Sequence, residues 1–198
     1  MKGTILVLAL LGIVLCPSGG QAAKTYQFAD ISWGEPFPSA TGKLRSAGWK
    51  PRAAIADSAL QDYHVQTFQK RLRGGPCTMS LVAPSEGNAR VFKVLLSWPV
   101  DESNFRIRYF DVLMMLTEEY GRPREEYERY QDPYYRGDGK EYEALSRGKG
   151  ILGCRWRRDT EGSRLGMRIS PPRLDVSYFC KQWSDLMLRL GQKDAPDF

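Results

Sequence analysis

Between Arg90 and Pro123 the chain reads RVFKVLLSWPVDESNFRIRYFDVLMMLTEEYGRP, and its two halves carry different periods. In Arg90–Trp98, Phe92, Val94, Leu96 and Trp98 alternate with Val91, Lys93, Leu95 and Ser97, the period of a strand with one buried face. Beyond Asp101, Phe105, Tyr109, Val112, Leu113, Leu116 and Tyr120 recur at three- and four-residue spacing, which predicts a helix with one wide apolar stripe. Ser103 or Asn104 is placed to cap its start. Gly121 stands where a left-handed residue closes a helix, and Pro123 blocks continuation.

The same periods organise the rest. Thr25–Trp33 reads as a first strand and Ser39–Ala47 as a short helix ended by Gly48. Residues 52–62 show no firm period. A meander then follows from Tyr63–Leu72, Cys77–Ala83 and Arg90–Trp98, with turn signals at Gly74-Gly75 and over Pro84–Asn88. Strands return at Ile151–Arg158, Arg164–Ile169 and Leu174–Cys180, and a closing helix is expected over Gln182–Leu190. The segment Arg124–Gly150 differs: Tyr127, Tyr130, Tyr134, Tyr135 and Tyr142 lie among charges of both signs. It reads as a long polar excursion with room for a short helix at Lys140–Arg147. The fold expected is an α+β domain, a mostly antiparallel sheet with helices packed on one face. Ile31-Ser32-Trp33, a helix and Gly48-Trp49-Lys50-Pro51 echo Leu96-Ser97-Trp98, a helix and Tyr120-Gly121-Arg122-Pro123. Two related helix-plus-meander units, divided near residue 98, are the alternative to a single undivided domain over residues 24–191.

The N-terminus places this domain outside the cytoplasm. Lys2, the apolar run Ile5–Leu15 and the small residues Gly20 and Ala22 form a signal peptide over residues 1–23, cleaved after Ala22. The run is shorter than the ~20 residues that span a bilayer, so no transmembrane segment is expected after cleavage. Ile13-Val14-Leu15-Cys16 resembles a lipobox, and a lipoprotein acylated at Cys16 is the alternative to a periplasmic protein. Residues 192–198 are a polar tail.

With 29 Lys and Arg against 23 Asp and Glu the chain carries +6, and cleavage removes Lys2 to leave +5. That balance favours anionic partners but falls short of a dedicated nucleic-acid binder, and an exported chain does not meet nucleic acid. Cys77, Cys154 and Cys180 lie at inward positions of strands and read as small apolar core residues. Export permits one bridge, and Cys154–Cys180 is the pair expected if one forms.

An exported chain with Phe28-x-x-Ile31-x-Trp33-Gly34, a helix, Tyr120-Gly-x-Pro123 and a Trp-bearing strand at Ile151–Arg158 resembles a broad group of small bacterial envelope proteins. The helix-then-meander order is similar to the β-lactamase-inhibitor-like fold and to small outer-membrane-assembly lipoproteins. The resemblance implies an envelope-associated binding protein, or an inhibitor of a secreted hydrolase, and brings no catalytic residues with it.

Motifs for chemistry are scarce. His64 is the single histidine, no G-x-S-x-G or papain-type signature occurs, and no C-x-x-C or H-x-x-x-H spacing offers a zinc site. A thiol- or histidine-dependent secreted hydrolase, built on His64 with Cys77, Cys154 or a serine and an orienting carboxylate, is the rival to a binding protein. Asp132, Asp138, Glu141 and Glu143 read as solvated loop charges and not as calcium ligands. Glu118, Glu119, Glu125, Glu126 and Glu128 lack the apolar cleft that general acid catalysis requires. No metal and no cofactor is expected. Two interaction surfaces stand out. Arg155, Arg157, Arg164 and Arg168 would point outward together from adjacent strands, and Tyr127, Tyr130, Tyr134 and Tyr135 would furnish amphipathic contact area. The expected partner is an envelope protein or an anionic surface. Composition leaves the oligomeric state open.

Overall fold

A computed structural model of the chain describes residues 28–52, 63–85, 89–156 and 162–180. The expected signal peptide with Cys16, the expected closing helix over 182–190, residues 192–198 and Arg157 lie outside the described residues. In chain order the elements are α1 (Phe37–Ser46), β1 (Lys50–Pro51), β2 (Tyr63–Leu72), β3 (Gly75–Pro84), β4 (Lys93–Pro99), α2 (Phe105–Tyr120), β5 (Glu125–Tyr130), α3 (Glu141–Ser146), β6 (Gly150–Arg155), β7 (Ser163–Ser170) and β8 (Arg173–Cys180). The strands form one 8-stranded sheet in the order β1-β2-β3-β4-β8-β7-β6-β5, antiparallel throughout. The expected α+β class is therefore observed. The order runs through two four-strand meanders, each preceded by a helix, which meet where β4 pairs with β8. The echoed motifs take equivalent places. Trp33 and Trp98 precede α1 and α2, and Gly48 and Gly121 follow them at φ +82° and +78°, backbone that glycine adopts without a Cβ penalty.

The three described helices pack on the face that carries the main apolar core; a smaller cluster of Val82, Phe92, Tyr63, Val65 and Phe179 lies on the other. Met79 and Leu81 of β3, Val94, Leu96 and Trp98 of β4, Leu165, Met167 and Ile169 of β7, and Leu174, Val176 and Tyr178 of β8 share one core with Leu44, Phe105, Tyr109, Val112, Leu116 and Leu145 of the helices. Intervening strand residues face away, the one-sided pattern of an antiparallel sheet. Helix α2 buries Phe105, Tyr109, Val112 and Leu116, with Leu113 and Tyr120 packed at the margin.

Several details depart from the sequence expectation. Within the described part of the expected first strand there is only a bridge between Phe28 and Ile31, because Ala29 and Asp30 turn the chain at φ 52° and 58°. The third strand begins at Lys93 rather than Arg90. Val91 exchanges backbone hydrogen bonds with Gly34 and Glu35, so both Val91 and Val94 reach the core and Phe92 turns to the opposite face. Neither Ser103 nor Asn104 caps α2. The Asp101 carboxylate does so, accepting the Ser103 and Asn104 amides at 2.9 and 3.1 Å. The Ser103 hydroxyl, donating to the same oxygen at 2.6 Å, and then these amides hold Asp101 below its ordinary value. The excursion 124–150 contains the edge strand β5 and the helix α3. An edge strand with charges on both faces leaves no alternation to read.

Candidate functional site

Away from the helices, the sheet presents a polar face. Register fixes what it displays, since residues paired directly across neighbouring strands share a face. One row runs Tyr127, Gly153, Arg168, Asp175, Ser97 and Thr78 from β5 to β3. The next runs Glu125, Arg155, Gly166, Ser177, Leu95 and Ser80. Arg164 sits one step further along β7, opposite Phe179. Three of the four expected arginines (Arg155, Arg164 and Arg168) thus share this face with Tyr127. The fourth, Arg157, lies outside the described residues.

The local packing has a cause in two glycines. The Tyr127 side chain lies across Gly153, where a Cβ would stand 2.8 Å from the phenolic oxygen and 2.5 Å from the Met167 carbonyl oxygen. Lying there, the ring meets the Arg155 guanidinium at 5.7 Å, a cation–π contact. Gly166 has only ordinary contacts around its missing Cβ, so the floor between Arg155 and Arg168 is low. Burial raises the Tyr127 phenol, with Arg155 and Arg168 pulling it back.

At the junction of the two meanders the face holds charge. Ser97 donates its hydroxyl to Asp175, and Arg173 Nε lies 3.9 Å from the same carboxylate oxygen. Burial raises the Asp175 carboxyl above its ordinary value, against the pull of Ser97, Arg173, Lys93 and Arg168. Burial likewise lowers the Lys93 ammonium, opposed by Asp175. Both charges are therefore held at a cost in solvation, a state that structure tolerates at binding faces more readily than in cores. The sequence reading missed Ser97, Asp175 and Lys93. Each was legible as an outward position of its strand, but β4 and β8 are far apart in the chain and only their pairing gathers the three. Beyond them Phe92 stacks with Tyr63 and Phe179 at 5.9 and 6.1 Å, an aromatic knot at one end of the face.

The other expected tyrosines do not join Tyr127. Tyr130 points to the helix side, where its hydroxyl donates to Glu128 at 2.9 Å. Tyr134 is buried and donates to Glu143 at 3.1 Å, while Tyr135 stands 67% exposed. Nearness in sequence groups these tyrosines, but β5 sends Tyr127 and Tyr130 to opposite faces, and Tyr134 and Tyr135 lie beyond the strand.

Between α2 and β5 lies a cleft of about 290 Å³ lined by Arg106, Tyr109, Phe110, Glu126, Glu128 and Arg136. Arg106 bridges Glu128 at 2.8 Å and Glu141 at 3.2 Å, and Arg136 meets Glu128 at 3.1 Å. Burial would raise both carboxyls, but for Glu128 the hydrogen bonds from Arg106 and Tyr130, and for Glu141 backbone amides and Arg106, outweigh it. Both carboxyls are held below their ordinary value of 4.5. Acids with depressed folded values contribute stability that is complete above the unfolded value and is lost as pH falls through the folded one. Glu128→Gln is therefore expected to flatten the acid limb of stability below roughly pH 5. Urea midpoints measured across pH check this; parallel wild-type and variant limbs would remove the network from the acid response.

The cysteines and His64 make no catalytic arrangement. Cys77, Cys154 and Cys180 are thiols, not a disulfide. The expected Cys154–Cys180 bridge is excluded by register: β7 lies between them, with Met167 opposite Cys154 and Ser163 opposite Cys180. Two strand spacings separate them by roughly 10 Å before the offset along the strand is counted, beyond disulfide reach. Burial pushes Cys77 and Cys154 up to about 12. His64 is exposed on β2, its ring 6.1 Å from that of Phe37. Cys77 pairs with Lys70, six residues along the same strand, roughly 20 Å away. Among the described residues no group of His, Cys, Asp and Glu side chains is placed to hold a metal, and no helix is long and apolar enough to cross a membrane.

No known protein family, curated protein or solved structure matches this chain.

Proposed function

We propose that this chain is an exported, non-enzymatic envelope protein that docks an acidic partner protein on the polar face of β5–β8. The observation that carries the reading is the convergence of Arg155, Arg164, Arg168 and Tyr127 on one face, around the low floor of Gly153 and Gly166. Arginine and tyrosine together supply what protein interfaces concentrate: fixed hydrogen-bond donors and rigid amphipathic area.

The mixed charge selects the class of partner. Asp175 and Glu125 stand in the same rows as the arginines and would repel a uniform polyanion. A protein surface can match both signs residue by residue. Export rests on the leader, and the resemblance to inhibitor-like folds makes the acidic rim of a secreted hydrolase one such surface.

A photo-crosslinking residue at Ser177, on the floor, is expected to trap one discrete partner in the envelope of the producing cell. The same residue at Thr41 on α1 should trap none. With that partner purified, Arg155→Glu/Arg168→Glu is expected to weaken binding about a hundredfold while thermal stability moves little, since the lost cation–π contact is worth under ~1 kcal/mol. A partner held equally well by the reversed face would overturn the reading.

A further inference from the structure

We infer that the polar face is centred on a site for one phosphate monoester group, seated over Gly166 and held by Arg155 and Arg168, with the Tyr127 hydroxyl beside it. Its carrier is the acidic partner proposed above, and to that extent the inference rests on the docking reading. Two short repeats build the site. β6 carries Gly153-Cys154-Arg155 and β7 carries Gly166-Met167-Arg168. Because the strands run antiparallel, Gly153 falls opposite Arg168 and Arg155 opposite Gly166. The four form a checkerboard, arginines on one diagonal and glycines on the other. Diagonal neighbours on paired strands stand roughly 7–8 Å apart, a span over which two guanidiniums reach one anion from opposite sides.

Glycine weakens a strand interior and marks a place that another group approaches closely. Gly153 has its occupant, since the Tyr127 phenolic oxygen lies 2.8 Å from where a Cβ would stand. Gly166 has none. The one atom near its missing Cβ is the Cys154 carbonyl oxygen at 3.8 Å, and its backbone is not left-handed. Among the described residues, neither packing nor conformation calls for glycine there.

The arginines are uncommitted as well. Register sets Arg155 opposite Glu125 and Arg168 opposite Asp175, yet neither forms an ion pair with a described residue. Arg155 lies over the Tyr127 ring instead, and a guanidinium stacked on a ring keeps the donors at its planar edge for a ligand. Asp175 is answered by the Ser97 hydroxyl and by Arg173 at 3.9 Å. Burial raises the Tyr127 phenol, so its hydroxyl stays protonated and able to donate. Two uncommitted guanidiniums match the nearly two charges of a phosphate monoester near neutral pH. Donors from β5, β6 and β7 approach from three directions, which suits a tetrahedral group; a carboxylate offers one charge and two coplanar oxygens. Arg164, two residues before Gly166 on β7, adds positive potential at the rim. Glu125 and Asp175 in the same rows confine this potential to the centre, which favours a single anionic group over a polyanion.

Calorimetric titration with inorganic phosphate, phenyl phosphate and acetate near pH 7.5 and at low salt is the test. Both phosphates are expected to bind at one site, at least about tenfold more tightly than acetate. Arg155→Gln and Arg168→Gln should each weaken phosphate at least about tenfold. Arg45→Gln, an exposed charge on α1, should leave it unchanged. Gly166→Val fills the open square, so it should abolish binding while the melting temperature holds or rises, because a β-branched residue suits a strand. A purely structural glycine would give the reverse. No phosphate binding, acetate bound as tightly as phosphate, a loss shared by Arg45→Gln, or binding that survives Gly166→Val would each overturn the inference. Phosphate bound with phenyl phosphate refused would overturn the assignment to a partner-borne ester in favour of the free ion. These probes need no partner protein, so the two readings fail separately: phosphate binding with no partner trapped at Ser177 supports the anion site and overturns the docking reading.

Discussion

Trp98→Ala is expected to destabilise the protein by about 3–5 kcal/mol and to lower its melting temperature by about 10 °C. Trp98 is fully buried at the end of β4, opposite Leu174 of β8, so it stands on the seam where the two meanders join. The turn from β2 to β3 closes over it. Gly74 adopts φ +85°, and a Cβ there would lie 3.5 Å from the Trp98 Nε1 and 3.2 Å from Val112 of α2. Removing the indole therefore opens a cavity shared by both halves and by α2, where neighbours on three elements cannot all relax into the space. Trp98→Phe is expected to cost far less, because it keeps most of the ring and deletes an Nε1–H that is buried without an acceptor among the described residues. Thermal and urea unfolding of both variants checks this. A loss below about 1 kcal/mol for Trp98→Ala would mean that the seam is not the shared core described here.

Cys77 and Cys154 are expected to react with a thiol reagent at pH 8 roughly a thousand times more slowly in the native protein than in the unfolded chain. Their thiols rise from an ordinary 9.0 to about 12 because burial disfavours the thiolate, and only the thiolate is nucleophilic. A shift of that size leaves about a thousandfold less thiolate at any pH below both values. Cys154 also takes a hydrogen bond from Tyr109, which offsets part of the effect of burial. The measurement separates two classes of function. A catalytic cysteine must ionise at working pH, whereas a core thiol need not. Alkylation of native protein followed by peptide mapping reads each site separately. A native Cys77 or Cys154 that reacts as fast as an unfolded thiol would return the chain to the thiol-hydrolase reading and remove the ground for a pure binding role.

A sheet covered on one side leaves the other to be made either merely soluble or specific. Solubility needs dispersed charge. Here Arg155 and Arg168 flank the low Gly166, Tyr127 is folded back on Gly153, and Asp175 holds a raised carboxyl under burial. The helix side is different again: at the α2–β5 cleft Arg106, Glu128 and Glu141 are tied into one ion-pair network.

Local periodicity alone determined much of this protein. The strands β2, β3, β7 and β8, the span and buried stripe of α2, its Gly121 terminus and the outward aim of Arg155, Arg164 and Arg168 were all legible. Each depends on one element having one buried face, and side-chain geometry writes that face into the sequence at period two or 3.6. Tertiary structure decided the rest. Only the pairing of β4 with β8 brings Lys93, Ser97 and Asp175 together, and only the β6 ladder makes a strand of the charged segment EEYERY and sends Tyr127 and Tyr130 to opposite sides. The same register parts Cys154 from Cys180. Such contacts join residues whose neighbourhood depends on the strand order of the whole sheet, a property that no local window of hydrophobicity contains.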